Sequence, residues 1–130
     1  MVLDTSAIVA ILRDEPDARL LFESIIGSDL RLMASPTFLE TSIVVGANKN
    51  SEGIAKLDDL ISRLDIKIIE FGLEHALVAR RAFQTYGKGQ GHPAQLNFGD
   101  CISYATSKVE AMPLLFKGDD FRLTDVECAI

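Results

Sequence analysis

Five acidic residues of this chain stand where a short apolar run ends or where a helical pattern begins. Asp4 follows the apolar start of the chain, and Asp119 and Asp120 follow a later apolar run. Glu40 and Asp100 stand in the first turns of two predicted helices. Carboxylate oxygens suit the hard cations Mg²⁺ and Mn²⁺, which can activate a water and stabilise charge on a phosphodiester. The pattern favours metal-dependent phosphodiester chemistry.

Helix capping is the alternative explanation for some of these acids. The carboxylate of Asp100 can accept backbone N–H groups at a helix start and suits the positive end of the helix dipole. Capping does not explain Glu40. If Ser35 is the N-cap and Pro36 the first helical residue, the position of a capping-box acid (N3) is occupied by Phe38. The spacing alone leaves open whether the acids share one site.

Composition and charge limit the class of protein. The chain has 130 residues, 48% hydrophobic and 25% charged, which predicts a single domain over 1–130 with its own core. No apolar run approaches the roughly 20 residues of a membrane span, and no signal peptide is apparent, so we expect a cytoplasmic protein. The two cysteines, Cys101 and Cys128, match no metal-binding spacing and agree with a reducing compartment.

The net charge of −6 argues against a protein that coats nucleic acid passively, because phosphate contacts rely on Lys and Arg. It does not argue against a nuclease whose carboxylates surround a divalent cation, because the bound metal inverts the local potential.

Strand patterns alternate with helical patterns along the chain, which predicts an α/β domain with a mainly parallel sheet. The predicted strands are 2–3, 31–34, 66–71 and 114–116, with a possible edge strand at 126–130. The predicted helices are 7–12 with Ser6 as N-cap, then 16–26, 36–44, 54–64, 73–83 and 100–110. Sites in such sheets form beyond the carboxyl ends of the strands, where these acids would meet.

Four segments together resemble PIN-domain proteins of the VapC toxin type. They are Asp4-Thr5-Ser6-Ala7, the helix start 36–40, the segment 96–101 around Asp100, and the run 114–121. The resemblance covers essentially the whole chain. It implies a three-layer α/β/α sandwich, a ribonuclease dependent on Mg²⁺ or Mn²⁺, a homodimer, and inhibition by a VapB-like antitoxin.

The resemblance also implies roles for individual acids. Asp4 and Asp100 match the principal metal-binding acids of the family, and Glu40 matches the third. Either Asp119 or Asp120 matches the fourth, because the register of the turn is not fixed by the sequence.

Neutral and basic residues near these acids have candidate supporting roles. Ser6 and Asn97 can orient ligands or a metal-bound water, and Ser6 serves equally well as a plain helix cap. Lys88 and His92 lie in a glycine-rich segment and can contact RNA phosphates, or belong to a solvated loop. Lys117 can contact RNA as part of a basic rim with other residues, namely Arg80, Arg81 and Arg122.

The expected activity is endoribonucleolytic hydrolysis that leaves a 5′-phosphate and a 3′-hydroxyl and stops translation and growth until an antitoxin binds. Two alternatives remain open. One is a binding or scaffold module of the same fold without catalysis, and the other is a nuclease that acts on DNA.

Overall fold

The centre of the protein is a parallel sheet whose middle strands include the first strand of the chain. The computed structural model describes residues 1–130. Its strands are β1 (Val2–Leu3), β2 (Leu32–Ala34), β3 (Lys67–Ile69) and β4 (Leu114–Leu115), in the order β3-β2-β1-β4. Val2 lies opposite Leu32 on one side and Leu114 on the other. All three pairings are parallel, so helices must carry the chain back between strands.

Six α-helices make these connections and cover the sheet. They are α1 (Thr5–Leu12), α2 (Ala18–Ile26), α3 (Ser35–Val45), α4 (Ser51–Arg63), α5 (Leu73–Tyr86) and α6 (Phe98–Glu110). One short 3-10 helix, Ala47–Lys49, connects α3 to α4, and another, Asp120–Leu123, follows β4. No helix is long and apolar enough to cross a membrane.

Alternating strand residues divide the core into two layers. Leu3, Met33 and Leu115 belong to a buried cluster that includes apolar residues of α1, α2, α3 and α4. Val2 and Leu114 point to the opposite face, where they join a second cluster with residues of α5 and α6. Successive side chains of a strand face opposite sides of a sheet, so both faces are buried. The predicted α/β/α sandwich is confirmed.

Two details of the predicted elements differ from the structure. Ser6 is not the cap of α1, because the helix begins at Thr5 and the carboxylate of Asp4 accepts the backbone N–H of Ser6. A tight connection from β1 leaves no room for a later start. The segment 126–130 pairs with β4 at the sheet edge, but only through one parallel bridge, between Leu114 and Cys128, and so forms no full strand.

Candidate functional site

Asp4 lies at the carboxyl end of β1 with only 4% of its surface exposed. Its Oδ2 accepts hydrogen bonds from the backbone N–H of Ser6 at 2.9 Å and from Ser6 Oγ at 2.5 Å. Its Oδ1 accepts a hydrogen bond from Ser103 Oγ of α6 at 2.6 Å. A buried carboxylate without such donors would be strongly destabilising, so these three bonds allow Asp4 to stay in place.

Ser6 supports Asp4 and connects it to the last strand. Its Oγ donates to Asp4 and accepts the backbone N–H of Lys117, which follows β4, at 2.9 Å. This geometry agrees with the predicted role of Ser6 in orienting an acid.

Glu40 is half-buried one and a half turns into α3, and its carboxylate lies against two other elements. Its Oε2 accepts a hydrogen bond from Thr5 Oγ1 at 2.9 Å. A Cβ atom placed on Gly99 would lie 2.6 Å from Glu40 Oε1, so the carboxylate rests directly on the backbone at the start of α6. Burial raises the pKa of Glu40, the hydrogen bond from Thr5 lowers it, and the charge of Asp4 raises it further.

Asp100 stands in the first turn of α6 and forms a reciprocal capping box with Asn97. Asp100 Oδ2 accepts the backbone N–H of Asn97, and Asn97 Oδ1 accepts the backbone N–H of Asp100, both at 2.9 Å. Asn97 is thus the N-cap, and its backbone N–H, not its side chain, binds the Asp100 carboxylate. The capping interpretation of Asp100 is correct but incomplete, because the same carboxylate also interacts with the negative charges of three other acids.

Burial and neighbouring charges raise the pKa of Asp100 to about 6. Burial is the largest cause, the hydrogen bond from Asn97 opposes it, and the charges of Asp4, Asp120 and Glu40 add to it. The structure therefore brings these four acids into one electrostatic cluster, which we call the acidic cluster.

Asp119 and Asp120 are both exposed, and only Asp120 belongs to the acidic cluster. Asp120 begins the 3-10 helix after β4, and its charge raises the pKa of Asp100. Asp119 precedes that helix and has no such effect. The electrostatic effect on Asp100 favours Asp120 over Asp119 as the fourth acid.

The chemistry of the acidic cluster fits a hard divalent cation. All four side chains offer carboxylate oxygens, and none of them forms an ion pair with Lys or Arg. As the side chains stand, no three His, Cys, Asp or Glu residues are arranged to hold a metal ion. The oxygens of Asp4 are engaged by Ser6 and Ser103, and Asp100 is engaged by Asn97. A carboxylate oxygen that accepts a hydrogen bond can still bind a cation through its second lone pair, so these bonds are compatible with coordination of an ion once the carboxylates lie closer together.

The three predicted RNA contacts differ in their surroundings. Lys88 is exposed, in the loop closed by the pairing of Gly87 with Leu96. His92 is fixed within that loop, because its Nδ1 accepts the backbone N–H of Ala94 at 3.1 Å. Lys117 bonds to Glu15 and Asp17, which compete with a phosphate for its ammonium group. All three roles stay predictions.

Sequence reasoning missed three residues of the site: Thr5, Gly99 and Ser103. Thr5 and Ser103 act across 35 and 99 positions of the chain, so no local pattern reveals them. Gly99 precedes the predicted helix start at Asp100, where glycine is acceptable, so the sequence does not reveal that its missing Cβ makes room for Glu40.

Comparison with known proteins decides the family. A family model described as PIN domain matches residues 1–127. Ribonuclease VapC of Mycolicibacterium smegmatis is 48% identical over 126 residues, covering 97% of each chain. The chain belongs to the PIN-domain family, in its VapC branch. Ribonuclease VapC30 of Mycobacterium tuberculosis H37Rv is 46% identical over 127 residues, covering 97% of this chain and 95% of the relative.

Solved structures agree on the PIN-domain fold. VapBC2 from Rickettsia felis, bound to a DNA fragment from its promoter, superposes with a TM-score of 0.75 at 19% identity. The alignment covers 98% of this chain and 95% of that one. FitAcB from Neisseria gonorrhoeae gives a TM-score of 0.70 at 21% identity, with 98% and 94% coverage.

Because the pKa of Asp100 is raised, we expect ionisation of Asp100 to destabilise the protein as the pH rises, when EDTA has removed divalent cations. Between about pH 4 and 6 the folded state binds more protons than the unfolded state, so the free energy of unfolding falls as the pH rises. Asp100→Asn keeps an oxygen for the N–H of Asn97 but cannot ionise. We expect the Tm of the variant minus that of the wild type to become more positive from pH 4 to pH 7. Thermal unfolding in EDTA checks this, and a difference independent of pH would contradict it.

Proposed function

We propose that this chain is an endoribonuclease dependent on Mg²⁺ or Mn²⁺ and that it acts as the toxin of a VapBC-type pair. The observation that carries the proposal is the acidic cluster. Its four carboxylates interact electrostatically, and none of them is paired with Lys or Arg. The VapC relatives, which are named as ribonucleases, support the reaction class. Cleavage of RNA in the cytoplasm would stop translation and growth.

Each part of the cluster has a proposed role. Asp4, Glu40, Asp100 and Asp120 would hold the cation, while Ser6 and Asn97 keep two of these carboxylates oriented. A bound Mg²⁺ or Mn²⁺ supplies Lewis acidity, which stabilises charge on the scissile phosphate and lowers the pKa of a water molecule. His is not needed as a base, and hydrolysis would leave a 5′-phosphate and a 3′-hydroxyl.

The proposed inhibitor is a VapB-like antitoxin. The structural neighbours include VapBC2 from Rickettsia felis and a toxin–antitoxin complex from Klebsiella pneumoniae, the latter with a TM-score of 0.70. These likenesses support a partner protein that keeps the nuclease inactive.

The proposed oligomer is a homodimer, and one apolar surface is suited to form it. Leu39 and Ile43 of α3, Phe83 of α5 and Phe98 of α6 are 59%, 65%, 41% and 83% exposed. They line two grooves that meet at Phe98. Exposed apolar side chains gathered on one surface mark an interaction site. We call this surface the α3–α6 face.

A cleavage assay tests the proposed activity. We expect single-stranded RNA to be cut in Mg²⁺ or Mn²⁺, matched DNA to be spared, and EDTA to stop the reaction. Asp100→Asn removes a proposed metal-binding acid, so cutting should slow by at least the roughly 100-fold that loss of a supporting residue can cause. Analysis of the fragment ends should find 5′-phosphates.

The neighbouring acids of the last turn provide a matched control for this assay. Asp120→Asn should slow cleavage, whereas Asp119→Asn should leave it near the wild-type rate, because only Asp120 acts on Asp100. Absence of cutting by the folded, partner-free wild type in either metal would favour the scaffold alternative. Preferential cutting of DNA would favour the DNA nuclease.

Gly99→Ala separates metal binding from stability. The new methyl group would displace the carboxylate of Glu40, while alanine favours the helix by about 0.5–1 kcal/mol over glycine. We expect a variant at least as stable in EDTA as the wild type, but with roughly 10-fold weaker Mn²⁺ binding. The control is Gly72→Ala, because no atom lies within 4 Å of its added Cβ. Wild-type affinity in Gly99→Ala, measured by calorimetry, would contradict a role for Glu40.

Oligomeric state tests the α3–α6 face. Leu39→Glu places a charge on this face, so we expect light scattering to show a shift toward monomer, by at least about 10-fold in the dissociation constant. Leu20→Glu on α2 is the matched control, since Leu20 is 57% exposed and lies outside the face. A dimer that survives Leu39→Glu unchanged would assign the contact to another surface.

A further inference from the structure

Ser103 stands out because its hydroxyl is buried and yet makes no local bond. Only 1% of its surface is exposed, and its Oγ donates to Asp4 Oδ1 at 2.6 Å. The two residues are 99 positions apart in the chain. The bond therefore joins the middle of α6 to the end of β1.

Three other buried or half-buried hydroxyls in the helices behave differently. Thr41, Ser42 and Thr106 each donate to the backbone carbonyl four residues earlier, at 2.8 Å. This local bond is the usual arrangement for Ser and Thr inside a helix. Ser103 could use the carbonyl of Gly99 in the same way, but its hydroxyl is directed at Asp4 instead.

The bond completes the support of the Asp4 carboxylate. Ser6 occupies Oδ2 from the side of α1, and Ser103 occupies Oδ1 from the side of α6. Rotation of the carboxylate would break hydrogen bonds on both sides, and a broken bond would leave a buried polar group unsatisfied. The two serines therefore fix the plane of the carboxylate.

We propose that Ser103 is a positioning residue, which fixes the Asp4 carboxylate relative to α6. Asp100 lies on the same helix, one turn before Ser103. The inference rests on the proposed metal-dependent function and deepens it. Ser103 acts through Asp4 and touches neither RNA nor the metal. Without its hydroxyl, Oδ1 of Asp4 loses its donor, and the carboxylate is oriented from one side only.

The expected consequence is weaker metal binding. Residues that orient a metal ligand typically contribute 10- to 100-fold to affinity. Ser103→Ala should therefore weaken Mn²⁺ binding by about 10-fold or more, read by calorimetry or by the electron paramagnetic resonance signal of free Mn²⁺.

Ser107→Ala is the matched control on the same helix. Ser107 is 3% exposed, and its Oγ donates to the backbone carbonyl of Met112, also at 2.6 Å. Both variants remove one buried hydroxyl and one hydrogen bond of equal length. We expect similar decreases in Tm in EDTA, with Mn²⁺ affinity reduced only in Ser103→Ala.

Each other outcome overturns the inference in a distinct way. Wild-type Mn²⁺ affinity in Ser103→Ala would overturn the positioning role and leave the proposed function standing. An equal loss of affinity in Ser107→Ala would assign the effect to general stability of α6. Absence of Mn²⁺ binding by the wild-type chain would overturn the proposed function together with the inference.

Discussion

The burial of one carboxylate organises this protein. Asp4 ends a central strand and is almost wholly inaccessible, so its oxygens must find donors within the fold. The donors come from α1 and α6, and the hydroxyl of Ser6 is in turn held by the backbone after β4. Three separate parts of the chain must therefore be correctly placed before Asp4 can be buried. The sheet and its helices can therefore pack accurately only if Asp4 is correctly placed, and Asp4 is correctly placed only if they pack accurately.

The acidic cluster lowers the stability of the folded protein. Burial, with the charges of Asp4, Asp120 and Glu40 added to it, raises the pKa of Asp100 to about 6, which means that the ionised carboxylate is less favourable in the folded protein than in water. Hydrogen bonds from Thr5 to Glu40 and from Asn97 to Asp100 offset part of the cost. A divalent cation would offset the remainder, because positive charge among the carboxylates favours their ionised forms.

The general design could be predicted from the sequence, while its precise contacts could not. Alternating strand and helix patterns gave the layers, and the rule that sites lie beyond the carboxyl ends of parallel strands grouped Asp4 with Asp100. The partners of Asp4 and Glu40 could not be found, because Ser103 and Thr5 meet them only after tertiary packing. The choice between Asp119 and Asp120 depends on a one-residue difference in a turn, which apolar patterns do not specify. The start of α1 was misjudged because Ser6 is a good cap in isolation, but the tight exit from β1 gave that role to Asp4.

The strand order has a consequence for the newly made chain. β1 is synthesised first, but it pairs with β2 and β4, and β4 begins at Leu114. The backbone N–H that anchors Ser6 and the acid Asp120 come later still. A nascent chain on the ribosome therefore cannot assemble the acidic cluster until β4 and the turn that follows it have emerged. The first two strands and their helices can form before the acidic cluster, but they cannot complete it, so the site is a late product of folding.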